Sequence, residues 1–298
     1  PGGNAVYPSS LIMSVVPAQI AGVQRIVCVT PPTDNFNPYV AFLLDELGIN
    51  EVYQIGGAQA IAALAYGTNT IQPVNKIFGP GNAYVAAAKK QVFGKVGIDL
   101  VAGPSEIVVV ADDNNNPDWV ATDLMAQAEH DENSQSILIT NSQIFSEKVL
   151  DRIENLKKDL SKKEIINTSL QKNGLIILID DLNLSSDIIN KIGPEHLHLQ
   201  SSGKEEILKK VNNAGGIFLG DYSTEAFGDY VAGTNHVLPT SGAAKFSSGL
   251  GVIDFMKKSS IVEIDKASFN TLSKHVENIA DVEKLDAHKL SVTIRQTK

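Results

Sequence analysis

Short apolar runs alternate with helical stretches from Arg25 onward, an alternation that predicts successive βα units carrying a parallel sheet. Ile26 to Thr30 reads as a strand, and Pro38 to Leu47 as a helix stopped by Gly48. Glu51 to Ile55 is the next strand, and Gly56-Gly57 opens an alanine-rich helix from Ala58 to Tyr66. Lys76 to Phe78 is a short strand, followed by Gly79-Pro80-Gly81-Asn82 and a helix to about Phe93. A second run begins near Gly103-Pro104-Ser105, with strands expected over 106–111, 136–140, 174–179 and 216–219. Between them lie a helix from Pro117 to His130, charged and exposed helices over 144–160 and 162–172, and a helix ending at Ile192. The pattern therefore predicts an α/β fold in two domains, residues 1–103 and 104–250.

Beyond Leu219 the periodicity fades into a glycine-rich stretch reaching Gly251, where fixed loops would present side chains to a ligand. The tail, 251–298, holds a strand-like segment (Ser260 to Ile264) and a helix through Ala280. It is too short to bury a core of its own and is expected to dock on the body or on a partner subunit. The chain opens at Pro1-Gly2-Gly3, a loop-like start without an initiator Met, which suggests the remainder of a longer polypeptide.

With 298 residues, 43% of them hydrophobic, the chain can bury a substantial core. A net charge of -9 and the lack of a basic cluster argue against nucleic acid or an anionic membrane as a partner. No apolar run approaches the roughly 20 residues that span a bilayer, and no signal peptide is recognisable. The single Cys28 cannot form an internal disulfide, which suits a reducing cytoplasm, and its strand-like surroundings make it a core residue and not a nucleophile.

Candidate chemistry gathers at segment ends. Gln127 and His130, three apart at the end of a helix, can reach one point and would form half a metal site. Glu195-His196 follows the turn at Gly193-Pro194, although neighbours in a regular strand would face opposite sides. Asp229 lies in a Gly-Asp-Tyr tripeptide that repeats one at Asp221, and chemistry alone does not choose between the two. The turns at Gly56-Gly57 and Gly79-Pro80-Gly81-Asn82 offer backbone N–H groups for phosphate without the dinucleotide spacing. For each stretch taken alone, a solvated helix end, an ordinary strand start or a tight βα turn is the simpler account.

Taken together, however, the stretches PGGNAVYPSS, IGGAQAIAALAYGT, GPGNAYV, AGPSE, AQAEHD, GPEHL, GDYVAGTNHVLPTSG and LDAHKLSV occur in one order over nearly the whole chain. They resemble the histidinol dehydrogenase family. The resemblance implies two nucleotide-binding-like (incomplete Rossmann) α/β domains and a C-terminal tail that crosses to the partner in a homodimer. It also implies zinc-dependent oxidation of L-histidinol to L-histidine with two NAD⁺ through an aldehyde, in histidine biosynthesis. By position, Gln127, His130, Asp229 and His288 would hold the metal and meet the substrate. Glu195 and His196 match the acid–base pair; Ser105, His236 and Glu283 match substrate contacts; Gln59 and Asn82 match NAD contacts; His198 and His275 match no site position. Oxygen and nitrogen donors suit zinc but equally manganese or cobalt. His196 would take the alcohol proton and Glu195 would activate water, while Cys28 in a strand disfavours a thioester route. Two departures stand out. The family carries a further N-terminal portion, expected to complete the second α/β domain, without which a sheet edge would be exposed. Lys284 stands where glycine is common. Two other classes fit the same residues: a metal-dependent hydrolase, and an inactive truncated module that binds a nucleotide.

Overall fold

Pro8, at the first turn of a helix, starts the architecture of the computed structural model, which describes residues 6–296; the loop expected at Pro1 to Gly3 lies outside them. That helix, α1 (Pro8–Ile20), buries Leu11, Val15 and Ala18, and Pro17 within it hid it from sequence reading. The chain then runs β1 (Val27–Thr30), α2 (Pro38–Glu46), β2 (Glu51–Gln54), α3 (Gly57–Tyr66), β3 (Lys76–Ile77), α4 (Ala83–Val92) and β4 (Gly97–Ile98). Asn37 and Asn82 cap α2 and α4, each side-chain oxygen accepting from two backbone N–H groups of the first turn. β1 pairs with β2 and β3 with β4, both in parallel.

The two pairs are not hydrogen-bonded to each other, and a cavity of about 580 Å³ is lined by Val27, Cys28 and Val29 from one and Ile77 from the other. Gly56, Gly57 and Gly79 to Asn82 line the same cavity, so both glycine turns border one space at the carboxyl ends of parallel strands. Beneath the second turn, the fully buried Lys89 donates to the Gly79 carbonyl (2.9 Å) and to Asp99, whose other oxygen accepts from the Gly79 N–H (2.7 Å). Removing one partner of such a pair costs about 3–5 kcal/mol, which fixes the turn.

The sheet that follows is continuous, whereas the strands of residues 27–98 form two separate pairs. Its elements are β5 (Glu106–Val110), α5 (Pro117–Ala128), β6 (Gln135–Thr140), α6 (Gln143–Leu156), α7 (Lys163–Asn173), β7 (Leu175–Leu178), α8 (Ser185–Ile192), β8 (His196–Leu199), α9 (Lys204–Leu208), β9 (Gly216–Leu219) and α10 (Glu225–Tyr230). All five strands are parallel in the order β7-β6-β5-β8-β9. Central β5 is buried on both faces. Ile107 and Val109 pack with α5 and α6, whereas Val108 and Val110 pack with residues of α8 and α9. The helix expected over 144–160 to be exposed is amphipathic: Phe145, Val149 and Ile153 enter the core, and a 3₁₀ turn over 157–159 ends it.

After Met256 the chain forms a second compact unit. It holds α11 (Lys266–Glu283), capped by Asp265, and α12 (Asp286–Gln296), the latter unforeseen. Ser260 to Ile264 forms no strand, and Ile261 is 94% exposed. Lys284 sits between the helices with φ 59, ψ 40, a left-handed conformation that glycine adopts freely, which explains why glycine is favoured there. Among the described residues no helix is long and apolar enough to cross a membrane.

Candidate active site

Parallel pairing fixes the site's floor. β8 lies between β5 and β9, with His196 opposite Ile107 and Gly216. Gly193, left-handed at φ 64, ends α8 and turns the chain into Pro194-Glu195. Gly215 passes so close that an added Cβ would stand 2.6 Å from the Glu195 carbonyl oxygen. Glu195 therefore precedes the strand's pleat, and its Oε2 stands 3.8 Å from Nδ1 of its own neighbour, His196. The alternation of strand faces does not separate them.

Glu106 orients both residues through its backbone. Its N–H donates to Glu195 Oε2 (3.0 Å), and its carbonyl accepts from His196 Nδ1 (3.2 Å). A carbonyl can only accept, so Nδ1 carries the proton; the same N–H also points at Gln127 Oε1, 3.0 Å away. His196 Nε2 is left with an available lone pair, buried and without a hydrogen bond among the described residues. Burial lowers the His196 pKa to about 3, holding the ring neutral. Burial also pushes Glu195 up to about 8, opposed by the Glu106 N–H and reinforced by the Glu106 charge; Ser105 also hydrogen-bonds its carboxyl. The Glu106 carboxyl is itself raised by burial, and Oε1 accepts from the N–H of Ser241, a residue held at φ 55.

The second group comes from α5 and α10. Asn116 and Pro117 start α5, which ends at Ala128 with Gln127 fully buried and His130 one turn on, half-buried. α10 carries Glu225 and Asp229 four residues apart on one face. Ligand atoms of His130, Glu225 and Asp229 all lie within 4.8 Å of one another. Desolvation lowers the pKa of His130, opposed by Asp229; it raises that of Asp229, opposed by His236 and His130; and it raises that of Glu225 well above the usual range, helped by Asp229. His236 Nδ1 donates to the Asp229 carbonyl (3.2 Å) and its Nε2 accepts from Ser10 on α1 (3.2 Å). His130 also borders a cavity of about 650 Å³ whose aromatic lining is Tyr7, Tyr39, Phe42 and Tyr230.

The donors fit a divalent metal: one imidazole and two carboxyls converge, with the Gln127 oxygen close by and an unpartnered Glu225 oxygen among them. The Gln127 oxygen faces His196, so as a ligand it would use its second lone pair. Asp221 lies elsewhere, accepting from Asn115 (2.9 Å). His198, on the same strand face as His196, has both nitrogens engaged, Nε2 donating to the Gly220 carbonyl (2.9 Å) and Nδ1 accepting from Gln200 Nε2 (3.1 Å), which makes it structural. Gln59 is exposed in the first turn of α3, and the Asn82 oxygen caps α4 while its NH₂ makes no hydrogen bond among the described residues. Glu283 ends α11 and His288 lies on α12, both exposed in the second unit with His275. Sequence reading missed Glu225, whose signal was its place one turn before Asp229, and Glu106, whose contribution is made by its backbone. Cys28 is buried on β1 with its thiol pKa raised by desolvation.

The profile of the histidinol dehydrogenase family matches residues 1–296. Histidinol dehydrogenase of Rhodospirillum rubrum is 51% identical over 300 residues, covering 100% of this chain and 69% of the relative. That of Brucella suis is 51% identical over 296 residues, 99% of this chain and 69% of the relative. The crystal structure of histidinol dehydrogenase from Elizabethkingia anophelis superposes with a TM-score of 0.94 at 40% identity, over 100% of this chain and 69% of that one.

Proposed function

Because this chain belongs to the histidinol dehydrogenase family, we propose that it oxidises L-histidinol to L-histidine in two steps, with two NAD⁺ and a zinc ion. The observation that supports this most is His196, tautomerically fixed with a free Nε2 and with its ring 3.8 Å, at Nδ1, from Glu225, one of the convergent donors His130, Glu225 and Asp229. Gln127, His130 and Asp229 would hold the metal, with His288 as the further ligand that the family resemblance implies. When bound, the metal supplies a Lewis acid for the alcohol and amine of the substrate, and NAD⁺ supplies the hydride acceptor.

The chain's own residues handle protons and position. His196 Nε2 takes the alcohol proton, and the cation so formed stays anchored through Nδ1 to the Glu106 carbonyl and Gln127. In the second step Glu195 takes a proton from the water that attacks the aldehyde. Ser105 and the Glu106 N–H steady that carboxyl, and His236, fixed between Ser10 and Asp229, would be a substrate contact, as would Glu283 by the family resemblance. Gln59 and Asn82 flank the two glycine turns where the cofactor would lie, Asn82 offering its spare NH₂.

We assign the second unit to homodimer contact, since Val282, Ile279, Leu290 and Ile294 leave apolar surface exposed on its helices. A cytoplasmic location follows from NAD⁺ use and the lone, buried cysteine. Incubation with histidinol and NAD⁺ is expected to yield two reduced nicotinamides per histidinol, to stop on chelation and to resume with zinc. Hydrolysis of a test ester without nicotinamide reduction would overturn the assignment.

A further inference from the structure

The second Gly-Asp-Tyr tripeptide leaves one residue to explain, its glycine. Gly220 of the first turns the chain at φ 84, but Gly228 lies inside α10, where alanine would form helix more readily. What Gly228 does instead is admit a ring. A Cβ there would stand 2.6 Å from Cε1 and 2.8 Å from Cζ of Phe218, inside the 3.0 Å that real side chains keep. The same ring, on β9, pairs with the imidazoles of His196 and His198 at centroid distances of 6.0 and 6.4 Å. His198 is a firm neighbour, since Gly220 and Gln200 hold its two nitrogens. Gly228 is buried on the inward face of α10, three residues after Glu225 and just before Asp229. One ring therefore stands against both the helix that carries Asp229 and the strand that carries His196.

We propose that Phe218 is a positioning residue: its ring, seated in the space a side chain at Gly228 would fill, sets how far α10 and Asp229 stand from His196. This rests on the reading above, in which Asp229 holds the metal and His196 takes the alcohol proton. Protein interiors are close-packed, so a spacing set by such a contact is stiff. A methyl group at Gly228 would push α10 off the ring, and a misplacement of about 1 Å can cost about 10²-fold in rate. Leucine at 218 would lack Cε1 and Cζ, the two atoms that this methyl would meet. Combining Gly228→Ala with Phe218→Leu thus moves volume across a single contact and nearly conserves it, the kind of exchange that cores tolerate best.

Gly228→Ala, Phe218→Leu and the double variant test this beside the parent. Each is read by zinc retained after dialysis and by single-turnover nicotinamide reduction with histidinol. Gly228→Ala should react about 10²-fold more slowly and retain less zinc, and Phe218→Leu, in which α10 loses its stop, should be slowed by about 10-fold. The double variant should recover at least about 10-fold over Gly228→Ala and regain zinc, whereas two unrelated losses would add. A folded double variant no faster than Gly228→Ala overturns the proposal, as does a parental rate in Gly228→Ala. If Gly228→Ala or the double variant does not fold by circular dichroism, Phe218→Leu decides: slowed reaction upholds the proposal, and a parental rate with parental zinc overturns it. A parent that holds zinc but reduces no nicotinamide removes the dehydrogenase reading alone, since zinc retention across the same variants still reads the placement of α10. A parent that does neither overturns both.

Discussion

Changing His196 to asparagine is expected to slow the first hydride transfer by about 10²–10⁴-fold, the usual loss on removing a general base, with metal content unchanged. The ring is 4% exposed and tied at Nδ1 by an obligate acceptor, so only Nε2 can receive a proton. Its low pKa keeps it in the basic form at every working pH. The cation formed on accepting the proton is stabilised wherever Glu195 or Glu225, each with an oxygen 3.8 Å from Nδ1, is ionised. Asparagine keeps a donor for the Glu106 carbonyl, so the fold and the donors on α5 and α10 should persist. Single-turnover formation of reduced nicotinamide, with metal measured after dialysis, reads both effects. A rate within twofold of the parent would remove His196 from the chemistry.

Glu195→Gln should divide the reaction. The alcohol step proceeds, whereas aldehyde oxidation falls by about 10²–10⁴-fold and aldehyde, trapped by a hydrazine, accumulates. The second step in the parent should rise with pH through a value at or below about 8, since a bound dication draws the Glu195 pKa down from its metal-free value, and the variant should lose that limb. Stability provides an independent sign. The folded-state pKa of Glu195 is raised from its ordinary 4.5 to about 8, so between these values the folded protein binds more protons than the unfolded one. That contribution is fully present below pH 4.5 and is lost as pH rises through 8. The neutral glutamine escapes the loss, so the metal-free variant should gain stability relative to the parent over this window in urea unfolding. An unaltered second step would contradict the role of Glu195.

The centre of the second sheet was legible because β5, buried on both faces, reads as an apolar run, whereas β8, equally buried, alternates His and Leu and was not among the expected strands. Helix α1 was not legible, since Pro17 interrupts the helical pattern, and α10 was hidden by the glycines around it. The side chains suited to chemistry could be picked out one by one, but their grouping depended on tertiary register. Only the fold shows that Asp229 faces His130 while Asp221 holds Asn115, or that His198 is saturated where its strand-mate His196 keeps a free nitrogen. Glu106 was unreadable for a different reason: its peptide N–H and C=O do the orienting, and a backbone contribution leaves no residue-type signature. Lys284 shows the converse, a departure from glycine that made sense once its left-handed backbone was seen.

The most direct measurement is anomalous diffraction from crystals grown with zinc and histidinol. A single strong peak is expected about 2.0–2.2 Å from His130 and from Asp229, with the substrate's nitrogen atoms beside it. A peak bound to neither residue, or histidinol seated away from His196, would contradict the account.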